Sequence, residues 1–149
     1  MNLKLLTSFI LTLVLLVGCV SEKNINVNDM DKIKLELIEQ NKLDEGISYS
    51  IKLTNGSDYV IKQNNVFVSF PIKNGESAYK GNEYKVEADG NKLDIQPGEK
   101  ITLNVFMRYE GIGDKSLLGI DNPHIQLKGY MHTVDDEHHF TIGGSLIKN

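Results

Sequence analysis

Apolar and polar residues alternate along most of the chain from residue 32 onward, and this period of two constrains the fold most. The apolar positions of four such segments are Ile33, Leu35 and Leu37; Ile47, Tyr49, Ile51 and Leu53; Val66, Val68, Phe70 and Ile72; and Ile101, Leu103, Val105 and Met107. Successive side chains of a β-strand point to opposite faces of the sheet, so this pattern is typical of half-buried strands. The sequence therefore predicts an all-β domain.

Asp89-Gly90 predicts a tight turn between two further strands, because Asp-Gly is a strong signal for a two-residue hairpin loop. A hairpin over residues 83–95 with this turn pairs Val86 with Leu93 on an apolar face. Its other face carries opposite charges across the strands, which also favours the pairing.

A second hairpin is predicted over residues 124–147. A turn at Asp135-Asp136 pairs Met131 with Phe140 and continues to match apolar residues along both strands. A shift of one residue would move every apolar side chain to the other face, so the pattern restricts the register.

Frequent turns separate the predicted strands, with Asn-Gly at 55–56 and 74–75 and Pro-Gly at 97–98. About eight short strands with such turns predict an antiparallel β-sandwich over residues 32–149. The stretches IKLTNGSDYVIKQNNVFVSFPI and LDIQPGEKITLNVFM resemble immunoglobulin-like domains of small bacterial lipoproteins of unassigned function. A small β-barrel is the alternative fold.

The chain begins with a positive charge at Lys4 and an apolar run over residues 5–17. This run is shorter than the roughly 20 residues that a membrane-spanning helix needs, and it fits a secretory signal peptide over residues 1–18. The run ends in Leu-Val-Gly-Cys at residues 16–19, which resembles the lipobox of bacterial lipoproteins. The alternative is an ordinary signal peptide with a chance cysteine at its cleavage site.

The lipobox resemblance implies that Cys19 receives a diacylglyceryl group and an N-acyl chain and becomes the first mature residue. The lipids would anchor the protein at the outer face of the cytoplasmic membrane, and two acyl chains suffice for stable anchoring. Cys19 is the only cysteine, and acylation removes the hazard of a lone thiol outside the cell. Residues 19–31 then form a polar, flexible tether. The Lys-, Asn- and Ile-rich composition favours a Gram-positive source.

The charge of the mature chain argues against nucleic acid as a partner. Residues 1–18 carry Lys4 as their single charged residue, so their removal takes the formal net charge from −4 to −5. A mildly acidic domain is repelled by polyanions and by anionic lipid surfaces.

The stretch HTVDDEHH at residues 132–139 is the densest cluster of polar side chains. In the predicted register, His132 lies opposite His139, and Glu137 shares their face. Imidazole and carboxylate groups can bind zinc or copper(II), so a metal site is one interpretation. The favoured interpretation is a solvated hairpin tip with no bound metal.

Residues 109–123 form the longest irregular segment, and they contain Leu117, Leu118 and Ile120. Long loops on rigid scaffolds often carry binding function, so these three residues are candidates for partner contacts. The alternative interpretation is that the loop folds back and the three side chains close one end of the sandwich.

No sequence pattern supports catalysis or a cofactor. The chain has no Gly-x-Ser-x-Gly elbow, and acylation of Cys19 would remove its thiol nucleophile. We therefore expect a membrane-anchored binding or accessory module, not an enzyme, that acts on an envelope protein or an extracellular ligand. The alternative function is metal binding through His132, Glu137 and His139.

Overall fold

A computed structural model describes residues 27–75 and 78–146. They contain one helical turn, α1 (Val27–Met30), a 3-10 helix (Lys115–Leu117) and ten strands. The strands are β1 (Ile33–Leu43), β2 (Gly46–Asn55), β3 (Ile61–Ser69), β4 (Ile72–Lys73), β5 (Tyr79–Lys80), β6 (Val86–Glu87), β7 (Asp94–Ile95), β8 (Lys100–Arg108), β9 (His124–Met131) and β10 (His139–Ser145). Within these residues, neither helical segment is long and apolar enough to span a membrane.

The strands form two main antiparallel sheets and a small separate hairpin. Sheet A has the order β1-β2-β8, and sheet B has the order β10-β9-β3-β6, with β7 also paired to β3. Buried residues from both sheets form a single hydrophobic core. The predicted all-β sandwich is confirmed, and the alternative of a small barrel is wrong because the two sheets do not close on each other.

The alternation in the sequence accounts for this core. In β2, Ile47, Tyr49, Ile51 and Leu53 are fully buried, and the residues between them are partly exposed. Strands β3 and β8 alternate in the same way through much of their length. Burial of each aliphatic side chain stabilises the fold by about 1.5–3 kcal/mol relative to exposure, so one face of each strand is strongly specified.

The domain begins before the first predicted strand. Met30 of α1 is partly buried against the core, and Lys32 Nζ lies 3.0 Å from Asp29 Oδ1. The last residues of the predicted tether are therefore part of the folded unit. The signal peptide and Cys19 lie outside the described residues.

The predicted hairpin over residues 83–95 is wrong. Strand β6 pairs Val86 with Val68, and β7 pairs Ile95 with Ile61, so both strands pair with β3 and not with each other. Leu93, the predicted partner of Val86, is 76% exposed.

Asp89-Gly90 has a different role from the predicted hairpin turn. The backbone N–H of Asp89 donates to Asn104 O (2.8 Å), and the N–H of Asn104 donates to Asp89 O (3.0 Å), so this segment pairs with β8 of sheet A. Gly90 has φ +97°, and a Cβ there would lie 2.8 Å from the carbonyl oxygen of Thr102. The glycine thus permits a close approach between the two sheets.

Two amide side chains, the buried Asn64 and the partly buried Asn91, fix the segment that follows Gly90. Asn91 Oδ1 accepts hydrogen bonds from Asn64 Nδ2 (2.9 Å) and from the N–H of Val66 (3.1 Å). Asn64 Oδ1 accepts from the N–H of Lys92 (2.8 Å). These bonds satisfy the backbone where β3 shifts its register against β9, after Lys62.

Candidate functional site

The loop over residues 109–123 is ordered by local hydrogen bonds. Asp114 caps the 3-10 helix Lys115–Leu117 by accepting from the N–H of Ser116 (2.8 Å). Hydrogen bonds from Ser116 hold the pKa of Asp114 below its usual value. Asp is a preferred capping residue because its carboxylate satisfies an otherwise unpaired N–H at the start of a helical turn.

The three apolar residues of this loop have different environments. Leu118 is 6% exposed and belongs to the core, and Ile120 is partly buried against it. Leu117 is 54% exposed. Leu118 and Ile120 therefore agree with the interpretation that the loop folds back onto the core. Leu117 exposes more of its side chain to solvent than either of them. Of the three side chains, that of Leu117 is the most exposed, and a contact role for the three residues stays a prediction.

The small β4–β5 hairpin packs beside this loop. Ile72 of β4 forms a bridge to Leu118, and Lys73 pairs with Tyr79 of β5. The Nζ of Lys73 donates to the carbonyl oxygen of Ser116 (3.0 Å), so the hairpin contacts the residue that precedes Leu117. We call Tyr79, Lys73 and Leu117 the loop platform.

Sequence reasoning missed two residues of the loop platform, Lys73 and Tyr79. The side chain of Tyr79 is 48% exposed, and its ring lies against the backbone of Gly119. A Cβ at Gly119 would lie 2.7 Å from Tyr79 Cε1 and 3.0 Å from Pro71 Cγ. Glycine at 119 therefore lets the Tyr79 ring approach the loop backbone closely.

Two further contacts hold the ends of the loop. Lys42 Nζ lies 2.8 Å from Asp121 Oδ1, which joins the end of β1 to the loop. Lys115 Nζ lies 3.8 Å from the centre of the Tyr109 ring, a cation–π contact. The hydrogen bond from Lys42 lowers the pKa of Asp121 and raises the pKa of Lys42.

The histidine-rich hairpin has a different register from the predicted one. Phe140 pairs with Gly129, two residues from its predicted partner Met131. The shift of two keeps the apolar face inward, so Phe140 and Met131 are both buried. The hairpin closes with the N–H of Met131 donating to His138 O (3.0 Å), which makes the turn longer than Asp135-Asp136 alone.

The predicted opposition of His132 and His139 is wrong for this reason. His139 pairs with Tyr130, and the centres of their rings are 5.4 Å apart. His132 lies beyond β9 with φ +69°, and its ring is 6.2 Å from that of Tyr59.

The other residues of the hairpin tip do not complete the predicted metal site. His138 Nδ1 contacts Asp135 Oδ1, and this hydrogen bond lowers the pKa of Asp135. Glu137 is exposed in the turn. Across residues 27–75 and 78–146, no three His, Cys, Asp or Glu side chains are grouped to hold a metal ion. The structure thus does not bring His132, Glu137 and His139 together as a site.

Comparisons with known proteins give distant structural similarity. No family model matches the chain, and no curated protein sequence matches it. A β-glucosidase from Kluyveromyces marxianus in complex with glucose is similar over 78% of this chain at 17% identity and a TM-score of 0.35. This chain spans 14% of that enzyme. The archaellum periplasmic stator protein FlaG from Sulfolobus acidocaldarius is similar over 76% of this chain and 99% of its own, at 10% identity and a TM-score of 0.35.

Proposed function

We propose that this protein is an extracytoplasmic lipoprotein that serves as a binding or accessory module. Lipids on Cys19 would hold it at the outer face of the cytoplasmic membrane. The sandwich would present its surface to another envelope protein or to an extracellular ligand. The Leu-Val-Gly-Cys motif at residues 16–19 supports the anchor, and the loop platform supports the binding role.

The observation that carries the binding role is the exposure of two large apolar side chains on an ordered backbone. Leu117 and Tyr79 each expose about half of their surface, at 54% and 48%. The Asp114 cap, the Lys73–Ser116 bond and the ring contact with Gly119 restrain the backbone beneath them. A restrained backbone loses little conformational entropy on binding, so this part of the loop suits a contact surface.

The chemistry of the loop platform fits a protein partner. A tyrosine supplies apolar area with a polar hydroxyl at its end, and such residues often dominate the energy of protein interfaces. The leucine adds aliphatic area, and Lys73 supplies a positive charge at the border of the platform. We therefore favour a partner surface that combines an apolar centre with acceptor groups around it.

Membrane fractionation and labelling with a palmitate analogue test the anchor. The wild-type chain should label and sediment with membranes, and a Cys19→Ser variant should lose the label and be released from the membrane. An unlabelled wild-type chain that remains in the soluble fraction would contradict the anchoring.

Chemical cross-linking in intact cells, followed by affinity capture and mass spectrometry, tests the binding role. The full chain should capture the same envelope protein or ligand reproducibly, and a Leu117→Asn, Tyr79→Ser double variant should capture less than about a tenth as much. Leu93→Asn is the matched control, because Leu93 is an exposed leucine on another segment. Equal capture by all three chains would contradict the role of the loop platform.

A further inference from the structure

Each sheet, as the described residues form it, has outer strands whose backbone is unpaired along one side. In sheet A these are β8, which pairs at Asn104 with Asp89, and β1, which carries Lys34, Glu36, Glu39 and Lys42. The register of β1 also shifts at a bulge between Leu37 and Glu39. Charges and bulges are the usual protection of edge strands against pairing with another chain. The β1 edge is therefore protected.

Strand β10 is the outer strand at one end of sheet B, and it has neither form of protection. Its sequence HFTIGGS contains no Asp, Glu, Lys, Arg or Pro, and its register with β9 is continuous. The N–H of Met131 donates to His138 O, and the N–H of Leu146 donates to Pro123 O. Because ladder bonds alternate along antiparallel strands, Thr141 and Gly143 direct their N–H and C=O groups toward the open edge.

A groove lies beside this edge on the outer face of sheet B. Gly143 pairs with Gln126, and Gln126 pairs with Phe67, so the three residues form one row across β10, β9 and β3. Gly143 has no side chain to fill the row, and the groove above it has a volume of about 360 Å³. A side chain on a strand added to β10 could thus extend over Gly143 toward Phe67.

The walls of the groove combine apolar and polar groups. Phe67 is half-buried and offers part of its ring, whereas Ser69 and His124 place polar groups along the groove. Lys85 Nζ donates to Gln126 Oε1 (2.8 Å), which fixes both side chains in the wall. An aromatic side chain with a polar end matches this lining.

We propose that the β10 edge binds an extended segment of another protein as an added strand, with an aromatic side chain of that segment in the groove. Main-chain hydrogen bonds to Thr141 and Gly143 would supply affinity, and the groove would supply specificity, as in other cases of strand addition. Neighbouring strands are about 4.8 Å apart, so a Tyr or Trp opposite Gly143 can reach across the glycine. The β10 edge would thus be a second binding surface, separate from the loop platform.

A second copy of this chain fits the groove less well than a foreign segment. The outward side chains of β10 include Thr141, Gly143 and Ser145, which are too small to fill the groove. His139 is the larger one, and its ring already packs against Tyr130. The groove therefore favours a partner whose sequence provides the aromatic side chain.

The test uses a displayed library of random twelve-residue peptides, selected on the full chain in detergent. The best selected peptide is then synthesised, and its Kd is measured for the wild type and three variants. Thr141→Pro removes an N–H that faces the open edge and leaves the β9 ladder intact, as proline on edge strands usually does. Thr141→Val is its matched control because it keeps the N–H. Gly143→Leu fills the groove from within the chain.

Selected peptides should share an aromatic residue, and Thr141→Pro and Gly143→Leu should each weaken binding about tenfold or more. Thr141→Val should bind like the wild type. Circular dichroism verifies that each variant is folded. If Thr141→Pro does not fold, Gly143→Leu still provides the test. The Cβ of the new leucine would lie 3.3 Å from the carbonyl oxygen of Ile125, and a small shift relieves this contact, so we expect this variant to fold.

Three results would overturn the proposal. One is a library that yields no binding peptide, and another is a peptide whose Kd is the same for the wild type and both blocked variants. The third is a wild-type dimer that Thr141→Pro converts to a monomer in sedimentation analysis, since the edge would then bind a second copy. None of these results bears on the loop platform, whose test uses variants of Leu117 and Tyr79.

Discussion

Tyr49 is fully buried at the centre of β2, and among the described residues its hydroxyl has no hydrogen-bond partner. Burial raises the pKa of Tyr49, and the nearby Tyr109 and Asp121 contribute to the same shift. A buried hydroxyl without a partner loses its bonds to water and gains none in return. At this position the ring stabilises the core, and the hydroxyl opposes that contribution.

We therefore predict that Tyr49→Phe leaves the free energy of unfolding unchanged or raises it by up to about 1 kcal/mol. Tyr49→Ala is the contrasting variant, because loss of the ring leaves a cavity that should cost about 4 kcal/mol. Urea denaturation of both variants measures these differences. A loss of more than about 1 kcal/mol in Tyr49→Phe would show that the hydroxyl has a stabilising partner.

Asn55 shows the opposite case, a buried side chain whose polar atoms are all bonded. Its Nδ2 donates to the carbonyl oxygens of Tyr59 (2.8 Å) and Ile95 (3.0 Å). Its Oδ1 accepts from the N–H (3.1 Å) and the hydroxyl (2.7 Å) of Ser57. One side chain thus joins the end of β2, the following turn and β7.

Asn55→Ala should lower the free energy of unfolding by about 3 kcal/mol, because it leaves several buried groups without partners. Asn41→Ala is the matched control, since Asn41 forms an exposed contact with Glu39 and should change stability by less than about 0.5 kcal/mol. Chemical denaturation compares the two. Similar small effects for both would contradict the structural role of Asn55.

At the scale of elements, the ion pair between Lys42 and Asp121 joins β1 to the loop that carries Leu117. Lys42 lowers the pKa of Asp121 below its ordinary value of 3.8, chiefly through their hydrogen bond. A carboxylate with a lowered folded-state pKa contributes stability above its unfolded-state pKa, and that contribution is lost as the pH falls through the folded-state value. Lys42 has a raised pKa, so its contribution is lost at alkaline pH.

We predict that the carboxyl group of Asp121 titrates below 3.8 in the wild type and moves back toward 3.8 in Lys42→Met. NMR titration of the side-chain carboxyl carbon measures both values. Asp31 is a reference carboxylate for which no ion pair is described. An Asp121 titration that is unchanged by Lys42→Met would show that the pair does not form in solution.

The sequence predicted the elements better than their pairing. Alternation identified β2, β3 and β8 because burial of one strand face is a local pattern that a single segment displays. It did not identify the pairing of β6 and β7 with β3, because the glycine of Asp89-Gly90 serves a close approach to β8. Turn residues indicate where the backbone can bend, but distant packing determines which strands then meet.

For the candidate site as well, the sequence predicted features within one segment better than contacts between distant segments. Sequence reasoning selected Leu117 from the loop, yet it could not separate the exposed Leu117 from the buried Leu118. It missed Tyr79, which reaches the loop through the bridge between Ile72 and Leu118. It also paired His132 with His139, because Asp135-Asp136 indicated a short turn. The seven residues 132–138 between β9 and β10 form a longer one.

At the scale of the whole molecule, one core joins two sheets and leaves the loop platform and the β10 edge at the periphery. The loop platform is held by side-chain contacts, and the β10 edge offers main-chain groups. If lipids on Cys19 anchor the chain, they confine these surfaces to the space next to the membrane. The proposed function therefore requires the partner to be found in the envelope or just outside it.

The most direct test of the binding role places a photoreactive amino acid at position 117 of the full chain in intact cells. Irradiation should attach a discrete partner to this position, and Cys19→Ser should reduce the yield because the unanchored chain leaves the membrane. A photoreactive residue at position 93 is the matched control, since Leu93 is exposed on another segment. Equal products from positions 117 and 93, or none from 117, would contradict the proposal that the loop platform binds a partner.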